Sequence, residues 1–415
     1  MGKIVIIGNG IAGITAARHI RKMSDDAIVV ISAESKYFFS RTALMYVFMG
    51  HMKFEHTQPY ENWFWKKNKI QLIESQVTHL NTANKQLTLR SGEVIPYHKL
   101  VLALGSKPRP LPLVGAELAG VQSLYTKQDL HLMEQNSQGV QQAVVVGGGL
   151  IGIEMAEMLH SRDIHVTLVV REDSYWNIVL PKEESEMVNR HIRSRGVTLR
   201  LGRTVQQIKG QERVEGIALD DGTDLPCQFL GITIGVMPNT GLVENSEIDT
   251  HHGILVDEYL QTNVPDVYAI GDCVELRNPP PGHRAMEPVW YTGRIMGETV
   301  AQTLCGKPTA YAPGIWFNSA KFFDLEYQTY GFVPPTPREG YDSYYREDRK
   351  NERALRLTYD TNNNIVGINS LGLRLNHQAC ERWISMGKTL EYALAHLEEI
   401  DFDPEFYPKL NRSLV

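Results

Sequence analysis

The sequence contains few cysteines, and none of them are paired. Cys227, Cys273, Cys305 and Cys380 lie far apart, without a Cys-x-x-Cys motif or a Cys/His spacing typical of a metal site. This pattern argues against a disulfide framework and predicts a reduced, cytoplasmic protein without a bound metal. Because residues 4–7 already have the pattern of a core strand, we expect no signal peptide.

Long apolar runs and an excess of basic residues are also absent. No apolar run approaches the roughly 20 residues of a transmembrane helix, so no integral membrane association is predicted. The 42 Lys and Arg residues against 48 Asp and Glu residues give a net charge of −6, which argues against nucleic-acid binding. With 415 residues, 42% hydrophobic and 22% charged, the chain has the composition of a globular protein with two or three domains.

One pattern occurs twice in the chain: a β-branched strand, a Gly-x-Gly-x-x-Gly loop and a helix. In such a loop the first glycine makes a tight turn, and the second lets a pyrophosphate approach the backbone. The third lets the helix pack on the strand, and the helix N-terminus faces the phosphates. Two copies, with helices predicted over 14–20 and 153–159, indicate two dinucleotide sites. The loop glycines are Gly8, Gly10 and Gly13 in the first copy and Gly147, Gly149 and Gly152 in the second.

A second strand follows each predicted helix. Residues 27–31 form the first such strand, with Glu34 close behind, and residues 165–170 form the second, which Arg171 and Glu172 follow. An acidic residue at this place binds the ribose 2′-hydroxyl of a dinucleotide, whereas an arginine accommodates a ribose 2′-phosphate. Because Arg171 and Glu172 are adjacent, both kinds of ribose stay open, with the balance towards the unphosphorylated one since no basic cluster surrounds the site.

A third motif lies further along the chain, where residues 262–272 form a turn and a short strand that ends in Gly271 and Asp272. Ligands of a doubly wound sheet lie at the carboxyl ends of its strands, and an aspartate there accepts hydrogen bonds from polyol hydroxyls. The alternative role for Asp272 is to cap a following helix.

With these motifs the chain resembles the two-dinucleotide-domain flavoprotein reductases of the pyridine nucleotide-disulfide oxidoreductase superfamily, over roughly residues 1–310. Segment 100–109, which includes Ala103 and Gly105, and segment 235–239, which begins at Gly235, also carry the resemblance. It implies that the first loop and Asp272 bind FAD, with Glu34 on the adenosine ribose, and that the second loop binds NADH or NADPH.

The resemblance also implies the fold. We expect an α/β protein in which an NAD(P)H-binding domain, residues 113–238, is inserted into an FAD-binding domain, residues 1–112 and 239–312. A C-terminal α+β domain follows over 313–415, and in the resembling proteins it often covers the flavin or supports formation of a homodimer. Its predicted strands cover 321–330, 353–359 and 365–371, and its predicted helices cover 377–386 and 390–400.

Several residues are expected near the flavin and nicotinamide from the resemblance. Arg41 is similar to an arginine that ferredoxin reductases and apoptosis-inducing factor place near the FAD pyrophosphate or isoalloxazine, and the alternative is an ordinary surface arginine. Glu154, expected in the first turn of its helix, corresponds to a glutamate near the nicotinamide, unless it only interacts with the helix dipole. Glu287 and Trp290 are expected at the isoalloxazine, at the start of the last FAD-domain helix.

Trp316 and Phe317, at the entry to the C-terminal domain, are candidates for closing the other side of the flavin. The alternative is that both rings serve only in packing, as aromatic side chains more often do.

The chemistry implied by these features is direct electron transfer. Residues 40–50, where many relatives carry redox-active cysteines, contain none. We therefore expect an FAD-dependent NAD(P)H reductase that passes electrons to an external acceptor, such as a ferredoxin- or rubredoxin-like carrier. One alternative is a type II NADH:quinone oxidoreductase, although the acidic, proline-broken segment 401–410 is unlike a membrane-binding tail. The other alternative is a slow redox-sensing scaffold.

Overall fold

The computed structural model describes residues 2–402, so most of the acidic segment 401–410 lies outside the described residues. The strands are β1 Lys3–Ile7, β2 Ala27–Ser32, β3 Ile70–Glu74, β4 Val77–Asn81, β5 Gln86–Leu89, β6 Val94–Pro96, β7 Lys99–Leu102, β8 Ser106–Pro108, β9 Val121–Gln122, β10 Gln142–Val146, β11 His165–Val170, β12 Thr198–Leu201, β13 Val205–Gly210, β14 Val214–Leu219, β15 Asp224–Pro226, β16 Phe229–Ile232, β17 Val236–Pro238, β18 Ile254–Val256, β19 Val267–Ala269, β20 Val274–Leu276, β21 Phe317–Phe322, β22 Leu325–Gly331, β23 Tyr341–Asp348, β24 Arg353–Asp360 and β25 Ile365–Leu371. The α-helices are α1 Ile11–Met23, α2 Leu44–Phe48, α3 Asn62–Lys67, α4 Lys127–Asn136, α5 Leu150–His160, α6 Lys182–Ser194, α7 Trp290–Leu304, α8 His377–Ser385 and α9 Leu390–Ala395. Short 3₁₀ turns cover Arg41–Ala43, Phe54–Thr57, Gly271–Cys273 and Leu397–Ile400.

The chain forms two compact units. The first comprises residues 1–109, 125–134 and 236–313, and the second comprises residues 110–124, 135–235 and 314–415. The predicted FAD-binding domain resumes at residue 239, close to residue 236, where the chain re-enters the first unit. The finer division of the second unit into an inserted domain and a C-terminal domain stays a prediction.

A five-stranded parallel sheet forms the centre of the first unit, in the order β19-β7-β1-β2-β3. Its inner strands are buried on both faces, which explains why they are continuous runs of valine, isoleucine and leucine and not alternating patterns. An antiparallel sheet of β4, β5 and β6 and the two-stranded pairs β8-β17 and β18-β20 complete this unit.

Helices α1 and α7 lie side by side in the first unit and run in the same direction. A Cβ atom at Gly297 would lie 2.5 Å from the Ala12 carbonyl oxygen, and one at Gly293 would lie 3.4 Å from Ile11 Cγ2. The early residues of the two helices thus meet each other. Among the described residues, no side chain caps either N-terminus. The N-termini of both helices, where the first backbone N–H groups lie outside the helical hydrogen-bond pattern, therefore lie at the same end of the unit.

The second unit contains another parallel sheet, in the order β12-β11-β10-β16-β9, with helix α5 following β10. It also contains the antiparallel sheets β13-β14-β15 and β21-β22-β25-β24-β23, and helix α8 packs on the second of these through the buried Trp383. The predicted α/β class is confirmed. Both predicted nucleotide helices exist and extend beyond 14–20 and 153–159 at both ends.

The C-terminal sheet corrects one sequence prediction. Residues 321–330 are not one strand, because Phe323 adopts a φ of 56° and turns the chain into the β21-β22 hairpin. Strand β23 was not predicted, since its exposed, charged sequence has little apolar periodicity. The predicted strand 365–371 matches β25, and the predicted C-terminal helices correspond to α8 and to α9 with its following 3₁₀ turn.

Candidate functional site

The first glycine-rich loop joins β1 to α1 and leaves room on its outer side. Gly8 has a φ of +111°, and a Cβ atom there would lie 2.0 Å from the Ala103 carbonyl oxygen. At Gly13 a Cβ atom would lie 2.1 Å from the Gly8 carbonyl oxygen, whereas one at Gly10 would meet nothing within 4 Å. Glycine is thus required at positions 8 and 13 for packing, whereas Gly10 faces the space where a pyrophosphate would approach the N-terminus of α1.

Asp272 lies at the carboxyl edge of the same sheet, after β19. Its carboxylate accepts a hydrogen bond from Ser106 Oγ at 3.2 Å. Burial raises its pKa, against the opposing effects of Ser106, Arg41 and Tyr125. Asp272 lies inside the 3₁₀ turn Gly271–Cys273, and strand β20 comes directly after this turn, so the alternative that Asp272 caps a following helix is wrong. A buried carboxyl at a strand end fits a hydroxyl-rich ligand, because its oxygens accept hydrogen bonds there.

The other flavin-site residues from the third motif and segment 100–109 surround this edge. Ala103 follows β7 and donates its N–H to the Ile7 carbonyl, while Gly105 and Gly271 have φ values of +69° and +77°. A Cβ atom at Gly271 would lie 3.0 Å from Ala12 Cβ, at the start of α1. These positions are close to the first loop, and their contact with FAD stays a prediction.

Glu34 and Arg41 form an ion pair in the first unit. Arg41 donates from both terminal nitrogens to the Glu34 carboxylate, at 2.9 and 2.6 Å. The backbone N–H of Lys127 donates to the same carboxylate at 2.8 Å, and the Arg41 guanidinium lies over the Tyr125 ring. Arg41 is therefore not an ordinary surface arginine, because it holds the acidic group expected to bind the adenosine ribose.

The second glycine-rich loop repeats the geometry of the first. Gly147 has a φ of +130°, and a Cβ atom there would lie 2.3 Å from the Thr233 carbonyl oxygen. At Gly152 a Cβ atom would lie 2.6 Å from the Gly147 carbonyl oxygen, whereas one at Gly149 would meet nothing within 4 Å. This loop therefore also fits a dinucleotide, with Gly149 as the point of close approach.

Glu172 faces this second loop. A Cβ atom at Gly148 would lie 3.7 Å from Glu172 Oε2, so this oxygen lies beside the loop backbone. Glu172 is 23% exposed, while Arg171 is 78% exposed and donates to Glu172 Oε1 at 2.8 Å. The carboxylate and not the guanidinium is thus the group nearer the loop. Gly235, with a φ of +106°, ends the 135–235 segment, and its predicted cofactor contact stays untested.

Glu154 is largely buried on the second turn of α5, since this helix begins at Leu150 and not at Ile153. Burial raises its pKa to about 7, Lys321 opposes the rise, and Glu157 adds to it. Lys321 is in turn paired with Glu157, at 2.8 Å. The expected first-turn position is wrong, because the helix starts earlier than its apolar pattern does. The effect of the helix dipole falls off within the first turn, and both this alternative and the predicted position of Glu154 near the nicotinamide stay predictions.

Replacement of Glu154 by Gln should change the pH dependence of stability. Between the ordinary glutamate pKa and about 7, the folded chain binds a proton that the unfolded chain lacks. Raising the pH from 5 to 8 should therefore remove a contribution of Glu154 to the stability of the wild-type protein, on the order of 3 kcal/mol. Measured by calorimetry, the difference between the Tm of Glu154→Gln and that of wild type should shift in favour of the variant as the pH is raised over this range. Glu186→Gln, at a half-exposed position on α6, is the control, and an equal gain there would contradict the burial of Glu154.

Glu287 and Trp290 lie at the entry to α7 in the first unit. The Glu287 carboxylate is 8% exposed, accepts the Arg284 N–H at 3.0 Å and lies 3.0 Å from His283 Nδ1. Trp290 is the first residue of α7 and is 36% exposed. Their predicted position at the isoalloxazine stays untested. Trp316 and Phe317 belong to the other unit, where the Phe317 ring packs on His377, and their predicted role also stays a prediction.

Three residues of these sites were not predicted from the sequence. Tyr125 accepts the Ser106 N–H on its hydroxyl at 3.0 Å, and both belong to the group around Asp272. Tyr175 is fully buried and donates to the Gly149 carbonyl at 2.7 Å. Tyr125 and Tyr175 lie in segments without a recognisable motif, whereas Ser106 lies in segment 100–109, which carries the resemblance. Of these residues, only Tyr175, which follows the predicted strand 165–170, could have suggested a contact with the second glycine-rich loop.

Comparison with known proteins identifies relatives that share these features. The sequence profile described as pyridine nucleotide-disulphide oxidoreductase matches residues 2–301. The chain is 30% identical over 315 residues to a nitrite reductase [NAD(P)H] of Bacillus subtilis, covering 74% of this chain but only 38% of that protein. It is 32% identical over 335 residues to the 5,5′-dehydrodivanillate O-demethylase ferredoxin reductase subunit of Sphingobium sp., covering 79% of this chain and 81% of the subunit.

Among solved structures, a ferredoxin reductase from Rhodopseudomonas palustris superimposes with a TM-score of 0.83 at 25% identity. The superposition covers 90% of this chain and 91% of that protein.

Proposed function

The chain belongs to the pyridine nucleotide-disulphide oxidoreductase family, and from this membership we propose that it is an FAD-dependent NADH reductase that passes electrons to a small electron-carrier protein. FAD and a nicotinamide nucleotide are the cofactors of this family. The observation that supports the proposal most strongly is the pair of glycine-rich loops, each packed on its inner side and open at its second glycine.

The cysteines support direct transfer to the acceptor without a thiol intermediate. Segment 37–50 contains no cysteine. Cys273, beside Asp272, is fully buried, and burial raises its pKa to about 12, as it does for Cys227. Thiol exchange requires a thiolate, so these buried groups are poor nucleophiles. All four cysteines are free, which also supports our proposal of a reducing, cytoplasmic location.

The residues of the first unit divide the binding of FAD between them. We assign the pyrophosphate to the backbone N–H groups after Gly10, the adenosine ribose to Glu34 as held by Arg41, and a ribityl hydroxyl to Asp272. The adjacent N-terminus of α7 would place positive partial charge at the same end of the unit. When bound, FAD accepts a hydride from the nicotinamide and releases the electrons to an acceptor.

NADH is the coenzyme that the second loop favours. The Glu172 carboxylate beside Gly148 is suited to accept hydrogen bonds from the ribose hydroxyls. It would repel a 2′-phosphate, and the exposed Arg171 is already paired with it. The glutamate thus combines attraction of one coenzyme with repulsion of the other.

Glu172→Gln should lower the ratio of kcat/KM for NADH to that for NADPH, by about tenfold, because the repulsion of the 2′-phosphate is lost. Arg171→Gln is the matched variant next to it, and we expect it to change the ratio less than about twofold, since its side chain is largely exposed. The measurement is steady-state reduction of ferricyanide with each coenzyme. A larger effect at Arg171 than at Glu172 would reverse the assignment.

We assign the acceptor to a small protein carrier because the Sphingobium relative, a ferredoxin reductase subunit by name, aligns over most of both chains. The helices between residues 2 and 402 include none with the length and hydropathy of a membrane span. The domain division into 1–112 with 239–312, 113–238 and 313–415 remains part of the proposal, as does a homodimer through the last of these.

The test is an anaerobic titration of the FAD-loaded protein with NADH, followed by a comparison of acceptors. NADH should bleach the flavin absorbance with about two electrons per FAD and no further equivalents for thiols. Turnover should be fastest with a [2Fe–2S] ferredoxin or a rubredoxin, read through cytochrome c. Faster turnover with a water-soluble ubiquinone analogue would favour a quinone reductase. Flavin reduction with slow turnover on every acceptor would favour a redox-sensing scaffold.

A further inference from the structure

We propose that Tyr175 is a positioning residue that fixes the nicotinamide-nucleotide loop from its inner side. This inference rests on the proposed function, because it concerns the binding of the same coenzyme. Tyr175 lies five positions after the end of β11 and is 0% exposed. It is not part of the glycine motif, and it lies far along the chain from the loop at residues 147–152.

The backbone of Tyr175 is held by helix α6. Its N–H donates to Asn189 Oδ1 at 3.0 Å, and its carbonyl accepts from Ser185 Oγ at 2.6 Å. Asn189 also donates to Ser174 Oγ at 2.7 Å. These buried side chains fix the residue independently of any bound nucleotide, so the ring has a defined position from which to act on the loop.

The hydroxyl of Tyr175 contacts the loop itself. It donates to the Gly149 carbonyl at 2.7 Å, and it lies 3.4 Å from the place of a Cβ atom at Gly152. Burial first, and then the nearby Glu154, raise the pKa of Tyr175, while the Ile153 N–H opposes the rise. The phenol therefore stays protonated at neutral pH and remains a hydrogen-bond donor.

Gly149 is the residue at which this contact matters for a ligand. It is the N-cap of α5 and the second glycine of the motif, and its outer side is open. The Gly149 carbonyl also accepts the N–H groups of Gly152 and Ile153, at 3.1 and 3.3 Å. The Tyr175 hydroxyl is thus the third donor to the Gly149 carbonyl. This carbonyl belongs to the peptide unit at the start of α5, which sets the direction of the first backbone N–H groups of the helix. A bound pyrophosphate would depend on that direction.

Tyr175→Phe removes only the hydroxyl. We expect the dissociation constants of both NAD⁺ and ADP-ribose for the oxidised, FAD-loaded protein to rise by about three- to tenfold, as for the loss of one buried hydrogen bond. ADP-ribose lacks the nicotinamide, so an equal effect on both ligands places the loss of affinity in the ADP-ribose part that they share, which contains the pyrophosphate. Titration calorimetry gives these constants, and kinetics should show a higher KM for NADH with kcat within about twofold.

The control is Tyr327→Phe. Tyr327 is 1% exposed, donates to Asn369 Oδ1 at 3.5 Å and, like Tyr175, contacts the Phe322 ring. Loss of its hydroxyl should leave both dissociation constants unchanged. Unaltered ADP-ribose affinity in Tyr175→Phe, or equal weakening in both variants, would overturn the positioning role. If the wild-type protein bound neither ligand, the proposed function itself would fail.

Discussion

Gly10→Ala is expected to yield a folded protein that is purified almost without flavin. Gly10 has a φ of −67°, which an alanine adopts without strain, and its Cβ atom would meet no protein atom within 4 Å. The methyl group would instead occupy the place where the FAD pyrophosphate approaches the backbone. We expect affinity for FAD to fall by about a hundredfold or more, since several charge-assisted contacts to the phosphates would be lengthened at once.

The measurement is the ratio of absorbance at 450 to 280 nm after gel filtration, with the Tm of the FAD-free protein as the check on folding. Gly241→Ala is the matched control, because this glycine of the same unit is also exposed, lacks a positive φ and has open space around its Cβ position. Full flavin occupancy in Gly10→Ala would mean that the first loop does not hold FAD.

The second large effect is expected from the corresponding change in the other loop. Gly149→Ala should retain FAD but lose about a hundredfold in kcat/KM for NADH, because its methyl group would enter the open side of the loop. Gly149 has a φ of −108°, which is also accessible to alanine. Stopped-flow reduction by NADH, compared with reduction by dithionite, separates coenzyme binding from the flavin itself.

The two glycine variants serve as controls for each other. Gly10→Ala should still bind ADP-ribose with the affinity of wild type, whereas Gly149→Ala should not. Should Gly149→Ala lose FAD and Gly10→Ala lose ADP-ribose, the two loops would have the opposite cofactors to those assigned. That outcome would leave the assignment of the chain to its family unchanged, but it would reverse the cofactor roles proposed for the two units.

The glycine loops, the strand before each of them and the position of Asp272 were all accessible from the sequence. They are local features, since a tight turn needs a glycine and a parallel strand buried on both faces needs an unbroken apolar run. Gly8 and Gly147 illustrate this, because each has a positive φ and packs against the residue that directly follows a neighbouring strand of its sheet. A local conformational requirement leaves a local signature in the sequence.

Contacts between distant segments were not accessible in the same way. The hydrogen bond from the Lys127 N–H to Glu34, the contact of the Tyr175 hydroxyl with Gly149 and the approach of Lys321 to helix α5 each join parts of the chain without a shared pattern. The start of α5 was also placed too late, because Leu150 and Ile151 continue an apolar run and give no helical periodicity. Tertiary packing, and not local preference, decides such features.

The parallel arrangement of α1 and α7 has a consequence for the stability of the FAD-free protein. Two helices that point the same way bring like partial charges together, roughly +0.5 at each N-terminus, and this repulsion weakens the folded chain. An anion bound there relieves it, so the stability should follow mass action, with a gain of about 4 kcal/mol at a thousandfold excess of FAD over its dissociation constant. The FAD-free protein should therefore fold but melt at a lower temperature, and its Tm should rise with the concentration of added FAD.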